Sequence, residues 1–507
     1  MNGQLQISAL GIIGVLIAYF GLLSVVAWWT SRGSKTNSNQ DFFIAGRQSA
    51  WYVVAFGMIG ASLSGVTFIS IPGVVGAGAA NQAFSYMQVV LGYLFGYVVI
   101  ALVLLPLYYR LKLTSIYTYL EQRFGWNSYK TGAIFFLLSR IIGAAFRLYL
   151  VVVVLEMLLS AAGWKVPFSV LAIVSVLLIW VYTYRSGLKT IVWTDTLQTL
   201  FMLVAVAMSI IYMVGQLDLS SEGIFDKLEK QNLTQWFYFE NGWSDPNNFF
   251  KQFLSGMFIT IVMTGLDQDM MQKNLSCRSL KDAQKNMFSF SVVLVFVNFM
   301  FLLMGGLLFV YMAEKGIELP TRMVNGEAKV AYDLVYPNLA MGHFPLFIGI
   351  SFIIGLVAAA YSSADSALTA LTTSVCVDLL GIDPEGEDSA DATAQRRRVH
   401  LIMSAILCGV IILFGLINDS SVINQLFTIA GYTYGPLLGL FAFGLFVRLD
   451  LKDKWVPSVC IIAPILSFIL NTYSEALLFG YKFGFELLLV NGLLTFLGLL
   501  MISKSKM

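Results

Sequence analysis

The sequence predicts an all-α polytopic membrane protein, and three observations carry that prediction. Hydrophobic residues make up 58% of the 507 and charged ones only 12%, with a mean hydropathy of +0.77, far outside the range of soluble globular proteins. Apolar runs of about 20 residues, enough to cross a hydrocarbon core of about 30 Å, recur thirteen times. The basic residues between those runs alternate in density from loop to loop, as the positive-inside rule requires of a chain threading back and forth.

The runs lie near residues 7 to 30, 51 to 78, 82 to 108, 131 to 160, 167 to 184, 191 to 215, 250 to 270, 288 to 313, 345 to 380, 399 to 417, 423 to 447, 455 to 471 and 485 to 503. The first has no basic residue before it and no small-residue cleavage site after it, which reads as a retained span rather than a signal peptide. Of the 31 Lys and Arg residues, 21 fall in the loops on one side, 8 on the other, and Arg140 and Arg147 lie inside the fourth run. That bias places the N-terminus outside and the C-terminus in the cytoplasm of a cell membrane. Loops 216 to 249 and 314 to 344 are each long enough for a short surface helix, and the acidic stretch Asp383 to Asp388 reads as a solvated turn. The basic residues form no patch, so nucleic acid is excluded as a partner. Cys277, Cys376, Cys408 and Cys460 suggest neither a disulfide nor a metal site.

Chemistry enters in the ninth run, at Ala358 to Ser366. Ser362, Ser366, Thr369 and Thr373 step by four, three and four residues and share one helical face, with Ser363 and Asp365 beside it. An aspartate at the centre of a spanning helix costs roughly 2.5 to 3.5 kcal/mol on insertion scales, so it needs a partner, a proton or a cation. Small residues alone also serve close helix packing, but the carboxylate tilts the reading to a cation.

Two other runs are interrupted. The second carries Gly60-Ala61-Ser62-Leu63-Ser64-Gly65 and then Pro72-Gly73; the seventh carries Met263-Thr264-Gly265 and then Asp267-Gln268-Asp269. Both patterns weaken helical hydrogen bonding. The two runs are five apart and each heads a block of five, the pattern of a five-plus-five inverted repeat with a site near the midplane. The domain reading is one transmembrane unit over 1 to 507: an extra helix at 7 to 30, a first repeat at 51 to 215, a second at 250 to 447 and extra helices at 455 to 503.

The run Tyr182-Thr183-Tyr184-Arg185-Ser186-Gly187-Leu188-Lys189-Thr190-Ile191-Val192-Trp193-Thr194-Asp195-Thr196-Leu197-Gln198 resembles the signature of the sodium:solute symporter family. Four further pieces agree: Gly60 to Gly65 with Pro72-Gly73, the Tyr119 to Gly125 loop, Asp267 to Lys273 with the basic loop after it, and the serine-rich ninth run. The resemblance implies the leucine-transporter fold with broken helices two and seven, and sodium-coupled uptake by alternating access. It implies that Na+ is held by the carbonyls of Gly60, Leu63 and Ala359 and the hydroxyls of Ser362 and Ser363. Five neutral oxygens suit a weakly held monovalent ion; a divalent one asks for more carboxylates. A second cation site, as in some members, would use Asp195, Ser362 and Ser366. Asp365 stands where those members carry a hydroxyl; it strengthens that site, brings in a proton or pairs with a cationic group, and the stoichiometry stays open with it.

By position, Thr67, Gln88, Arg147, Thr260, Met263, Thr264 and Tyr432 are the candidates for substrate contact. Arg147 is similar in placement to the arginine that grips a substrate carboxylate in sialic-acid-transporting members; its bland reading is a buried pair with Glu156 or Asp365. Sugar-transporting members carry an asparagine and aromatics where this chain has Thr260, Met263 and Thr264, which weakens a sugar or polyol reading. Tyr86, Phe68 and Phe427 are candidate gates, and His343 and His400 sit at loop edges without a catalytic or metal-binding pattern. The resulting expectation is a monomeric, sodium-coupled importer of a small organic solute, with a slight preference for a carboxylate. A sodium-coupled sugar or polyol symporter, or an uncoupled channel or sensor on the same scaffold, is the alternative. No Ser/His/Asp set, metal cluster or phosphate loop is legible, which makes an enzyme the least favoured class. One charge falling through about 100 mV is worth about 2.3 kcal/mol, so one sodium is enough to drive accumulation.

Overall fold

The structure is a computed structural model that describes residues 7–31, 39–184, 187–217, 223–240, 242–324, 327–383, 389–417, 422–478 and 480–504. The acidic stretch 384–388, the signature residues Arg185 and Ser186 and the Phe427 side chain lie outside the described residues.

Among the described residues nine helices are long and apolar enough to cross a membrane, and the bent helix pairs Trp51–Ser62 with Gly65–Val74 and Phe249–Gly265 with Gln268–Leu275 bring the number to eleven if each pair is one span. The shorter apolar helices Phe168–Thr183 and Leu487–Met501 occupy the two remaining apolar runs of the sequence. Outside the spans lie short helices and two two-stranded ribbons; in the long loops, Ile224–Lys230 is the surface helix expected there, whereas Val335–Gly342 is buried over most of its length, through Val335, Tyr336, Leu339 and Met341 among others. One ribbon pairs Thr321–Val324 antiparallel with Glu327–Val330, with Thr321 opposite Val330. The other pairs Asp450 with Lys504 and Leu451 with Ser503. The sequence did not predict either ribbon, since strands of two to four residues are too short to carry a periodic apolar signal.

The two broken spans bend by 58° and 64°. In the second span the break falls at Leu63 and Ser64, both with extended backbone (φ −86°, ψ 95° and φ −85°, ψ 177°). It is flanked by Gly60 and Gly65, whose lack of a side chain lets other helices come close. A Cβ on Gly65 would stand 2.7 Å from the Val151 side chain. Pro72, expected to weaken this span as well, lies within the Gly65–Val74 helix without interrupting it. In the seventh span the break falls at Leu266 and Asp267, just after a π-helical turn at Ile261–Gly265.

The span boundaries carry one correction. The seventh span continues through its break to Leu275, so Lys273, which follows the apolar run 250 to 270 and is one of the 21 basic residues assigned to the cytoplasmic side, is buried with 1% of its side chain exposed. An apolar-run search stops at the polar string Asp267-Gln268-Asp269, yet that string is folded into the protein interior, where its polar groups have partners.

The candidate ion and solute site

Both breaks free helix-end carbonyls, and the structure treats the two sets differently. At the seventh-span break the Tyr108 hydroxyl donates to the Gly265 carbonyl and the Tyr117 hydroxyl to that of Leu266, each at 2.9 Å. Asp267 caps the following helix, accepting from the backbone N–H groups of Asp269 and Met270 at 3.0 and 3.4 Å. At the second-span break, among the described residues, no backbone N–H donates to the carbonyl of Gly60 or Leu63. The last carbonyls of a helix need a partner from outside it, and a buried unpaired carbonyl costs about 1 to 3 kcal/mol. The first break is therefore an open oxygen cradle, and the second is closed by tyrosines.

The serine-rich ninth span, Leu346–Ser374, faces that cradle and is buried from Leu356 to Ser374. The Ser363 hydroxyl lies 3.4 Å from the Ala61 carbonyl. Ser362 Oγ sits 3.3 Å from where a Cβ of Gly60 would stand, and Thr199 Oγ1 only 2.2 Å from it. Ser362 donates to Asp195 Oδ1 at 2.7 Å, which turns the hydroxyl's lone pairs away from the carboxylate and makes them available to a cation. Ala359 is one turn earlier on the same span and 1% exposed; its carbonyl, engaged in the helix, keeps a second lone pair. The residues the resemblance named for sodium thus sit on the two elements that face one another here, and the free carbonyls and hydroxyls fit a monovalent ion. No group of three or more His, Cys, Asp or Glu among the described residues is arranged to hold a metal.

Deeper in the protein lies a buried charge network. Asp195, on the sixth span Gly187–Gln216, receives Lys273 Nζ at 2.8 Å on Oδ2 and the Ser366 hydroxyl at 3.3 Å on the same oxygen. Lys273 also lies 4.0 Å from Asp269, and Arg140 pairs with Asp269 and stands 3.8 Å from Asp267. Tyr434 donates to Asp267 at 2.6 Å. Asp365 accepts from the Tyr182 hydroxyl at 2.7 Å and from the Ser366 N–H at 2.6 Å. The proposed second cation set of Asp195, Ser362, Asp365 and Ser366 is thus gathered in space, with an ammonium already on its main carboxylate.

Between the second, third, fourth, seventh and eighth spans lies a cavity with about 90 Å³ of free space, several times the roughly 10–15 Å³ that one water needs. Of the substrate candidates it brings together Thr67, Arg147, Thr260, Met263 and Thr264. Gln88 and Tyr432 are not among the residues that line it. Gln88 belongs to a separate polar cluster, donating to the Asn247 carbonyl at 2.8 Å and to Gln252 at 2.9 Å. The Tyr432 hydroxyl accepts from Asn471 at 2.9 Å. Each lies on the right span but outside the cavity, because position along a helix fixes depth and not facing. The lining residues that sequence reading missed include Tyr93, Tyr97, Arg140 and Asn298; Asn298, a lone amide inside an apolar helix, was the legible signal.

Arg147 is 9% exposed and lines this cavity together with a smaller one beside Thr433 and Tyr434. It makes no hydrogen bond or ion pair with a described residue, and its Nε is without a partner. The pairing with Glu156 or Asp365 that the sequence allowed is not formed. Of the expected gates, Tyr86 lines the cavity, whereas Phe68 is fully buried against Tyr336 and Phe352, with ring centres 5.4 and 5.8 Å apart. His400 is also interior, between the hydroxyls of Thr183 and Thr372 at 3.0 and 2.9 Å. Burial pushes the Cys277 thiol up to about 12, which keeps it protonated.

Comparison with known proteins adds the family. Sodium/sialic acid symporter SiaT of Proteus mirabilis is 24% identical over 443 residues, which span 86% of this chain and 84% of that protein. Sodium/sialic acid symporter NanT of Aliivibrio fischeri is also 24% identical, over 85% of this chain and 82% of its own length. Mouse sodium-coupled monocarboxylate transporter 1 is 25% identical over 85% of this chain and 69% of its own. The solved structure of a Na+-coupled sialic acid symporter, in a substrate-bound outward-open state with a novel Na+-site, superposes with a TM-score of 0.79. That match covers 98% of this chain and 99% of the other at 20% identity, and so establishes a shared fold. The model of the sodium:solute symporter family matches residues 42–449, and the chain, with its two broken spans and open carbonyl cradle, belongs to that family.

Proposed function

We propose that the protein imports an organic anion, coupled to sodium, by alternating access around the cavity at Arg147. The observation that carries this reading is the guanidinium itself, which is buried and lines a cavity without forming an ion pair or hydrogen bond to a described residue. Taking a charge out of water without pairing it costs several kcal/mol, and a solute carboxylate offsets that cost while forming two parallel N–H···O bonds. Arg140 is already engaged by Asp269 and Asp267, so it positions the network rather than receiving the solute.

The rest of the lining favours hydroxyl groups on that anion. Thr67, Thr260, Thr264, Tyr86, Tyr93 and Asn298 bring donors and acceptors to the same space. Sialic acid, the solute named for two relatives, is a hydroxylated carboxylate and meets both requirements, as would a smaller hydroxy acid. The coupling ion is assigned to Gly60, Leu63, Ala359, Ser362 and Ser363. The chain is read as a monomer in the cell membrane, N-terminus outside, with repeats over 51 to 215 and 250 to 447. The deciding experiment is uptake into proteoliposomes of a panel of labelled carboxylates, hydroxy acids and neutral sugars, with and without an inward sodium gradient. Accumulation of acids alone, and only with sodium, is the expected result; gradient-driven sugar uptake would overturn the anion assignment.

A further inference from the structure

The sequence and family pattern place a second cation at Asp195, Ser362 and Ser366, with Asp365 next to it. In the folded protein that locus already holds a positive charge. We propose that the ε-ammonium of Lys273 is a tethered cation in place of a second sodium, so that each transport cycle couples to a single sodium ion. This rests on the sodium-coupled reading above.

Both oxygens of the Asp195 carboxylate are engaged. Oδ2 accepts from Lys273 Nζ at 2.8 Å and from Ser366 at 3.3 Å, and Oδ1 accepts from Ser362 at 2.7 Å. The lysine is 1% exposed and the aspartate fully buried, so neither charge has water to turn to. A sodium ion on the same carboxylate would stand a few ångströms from an ammonium in a medium of low dielectric, where like charges repel far more strongly than in water. Among the described residues, a second carboxylate for Lys273 is Asp269 at 4.0 Å, and that one is already held by Arg140. Asp365 acts on the ammonium from further off, but the carboxylate that Lys273 hydrogen-bonds is Asp195, the one a second sodium would need.

The placement also has a mechanical sense. Lys273 rides on the inner half of the broken seventh span, Asp195 on the sixth and Ser366 on the ninth. A lysine in this position bridges the same elements that a second ion would bridge, but it cannot leave. The first sodium set, at the carbonyls of the other broken span, keeps its own oxygens, apart from Ser362, which both sets touch.

The test uses the full-length protein in detergent and 22Na+ as the probe, with no solute needed. Wild type is expected to bind one sodium per chain with a Hill coefficient of about 1. Lys273→Met removes the ammonium but keeps much of the side-chain volume. It is expected to raise binding to two per chain, with the Hill coefficient moving above 1, and adding Asp195→Asn to it is expected to return the count to one. Lys273→Arg keeps a charge at the site and is expected to remain at one. Two sodium ions bound to wild type, or a monodisperse Lys273→Met protein that still binds one, would overturn the proposal. If Lys273→Met does not fold, the wild-type and Lys273→Arg counts decide it. No sodium bound to wild type would instead overturn the sodium-coupled reading itself, and the tethered cation with it.

Discussion

Of the two guanidinium groups that line this cavity, Arg140 is paired with Asp269, whereas Arg147 forms no ion pair with a carboxylate of the described residues. Replacement of Arg147 should therefore act on solute rather than on structure. Arg147→Lys keeps the charge but loses the planar fork, and Arg147→Gln loses both. The expected outcome is a rise in KM for the carboxylate of about tenfold for Lys and about a hundredfold for Gln, in line with 1.4 kcal/mol per decade. Sodium binding measured without solute should be unchanged; a matching loss of sodium affinity would mean that Arg147 supports the ion site instead. Gly60 carries a second residue-level prediction. A methyl group there would stand 2.2 Å from Thr199 Oγ1, too close for any contact. Gly60→Ala is thus expected to displace the sixth span from the cradle, at about 1 to 3 kcal/mol, with weaker sodium binding. Gly60→Ala with Thr199→Ala makes room for the methyl and should restore much of the affinity.

At the level of elements, the two broken spans look alike in sequence and differ in what satisfies their freed carbonyls. Because Tyr108 and Tyr117 close the seventh-span break, Tyr117→Phe should leave the Leu266 carbonyl unpaired and cost about 1 to 3 kcal/mol in stability. Thermal melts should report that loss while sodium affinity stays the same. At the open break the opposite is expected. Ser362→Ala and Ser363→Ala remove candidate ligands and should raise the sodium concentration needed for half-maximal uptake severalfold, with solute KM at saturating sodium little changed. Unaltered sodium dependence in both variants would remove these hydroxyls from the ion site. Lys273 again shows that an element's role follows from its partners, since the same residue would be an ordinary loop lysine had the span ended at its apolar run.

For the whole molecule, the energetics depend on the sum of the charges carried. One sodium falling through about 100 mV yields about 2.3 kcal/mol, but a monocarboxylate travelling with it moves the opposite charge and cancels that term. A protein that couples one sodium to one such anion is then driven by the sodium concentration ratio alone, with about tenfold accumulation, or 1.4 kcal/mol, for each tenfold ratio. A potassium diffusion potential set with valinomycin should therefore leave monocarboxylate uptake unchanged in the wild type. Potential-driven uptake would indicate a second cation and count against Lys273 as its replacement. Counterflow separates carrier from channel: labelled solute should enter against internal unlabelled solute without any gradient.

The sequence by itself determined the membrane class, the many apolar helices and the two interruptions, because burial in lipid leaves its mark on every residue of a long apolar run. It also carried the family signature and the serine face, since helical spacing places those hydroxyls together whatever surrounds them. Only the tertiary structure decided which break stays open, because the hydroxyls that close the other come from Tyr108 and Tyr117, some 150 residues away in the chain. Facing was equally invisible: Gln88 and Tyr432 are at plausible positions yet point to other partners, while Arg147 points at the cavity. Lys273 shows the physical reason most directly. A charged side chain near the end of a span is indistinguishable in one dimension from a cytoplasmic anchor, and only the approach of Asp195 from another helix makes it an internal cation.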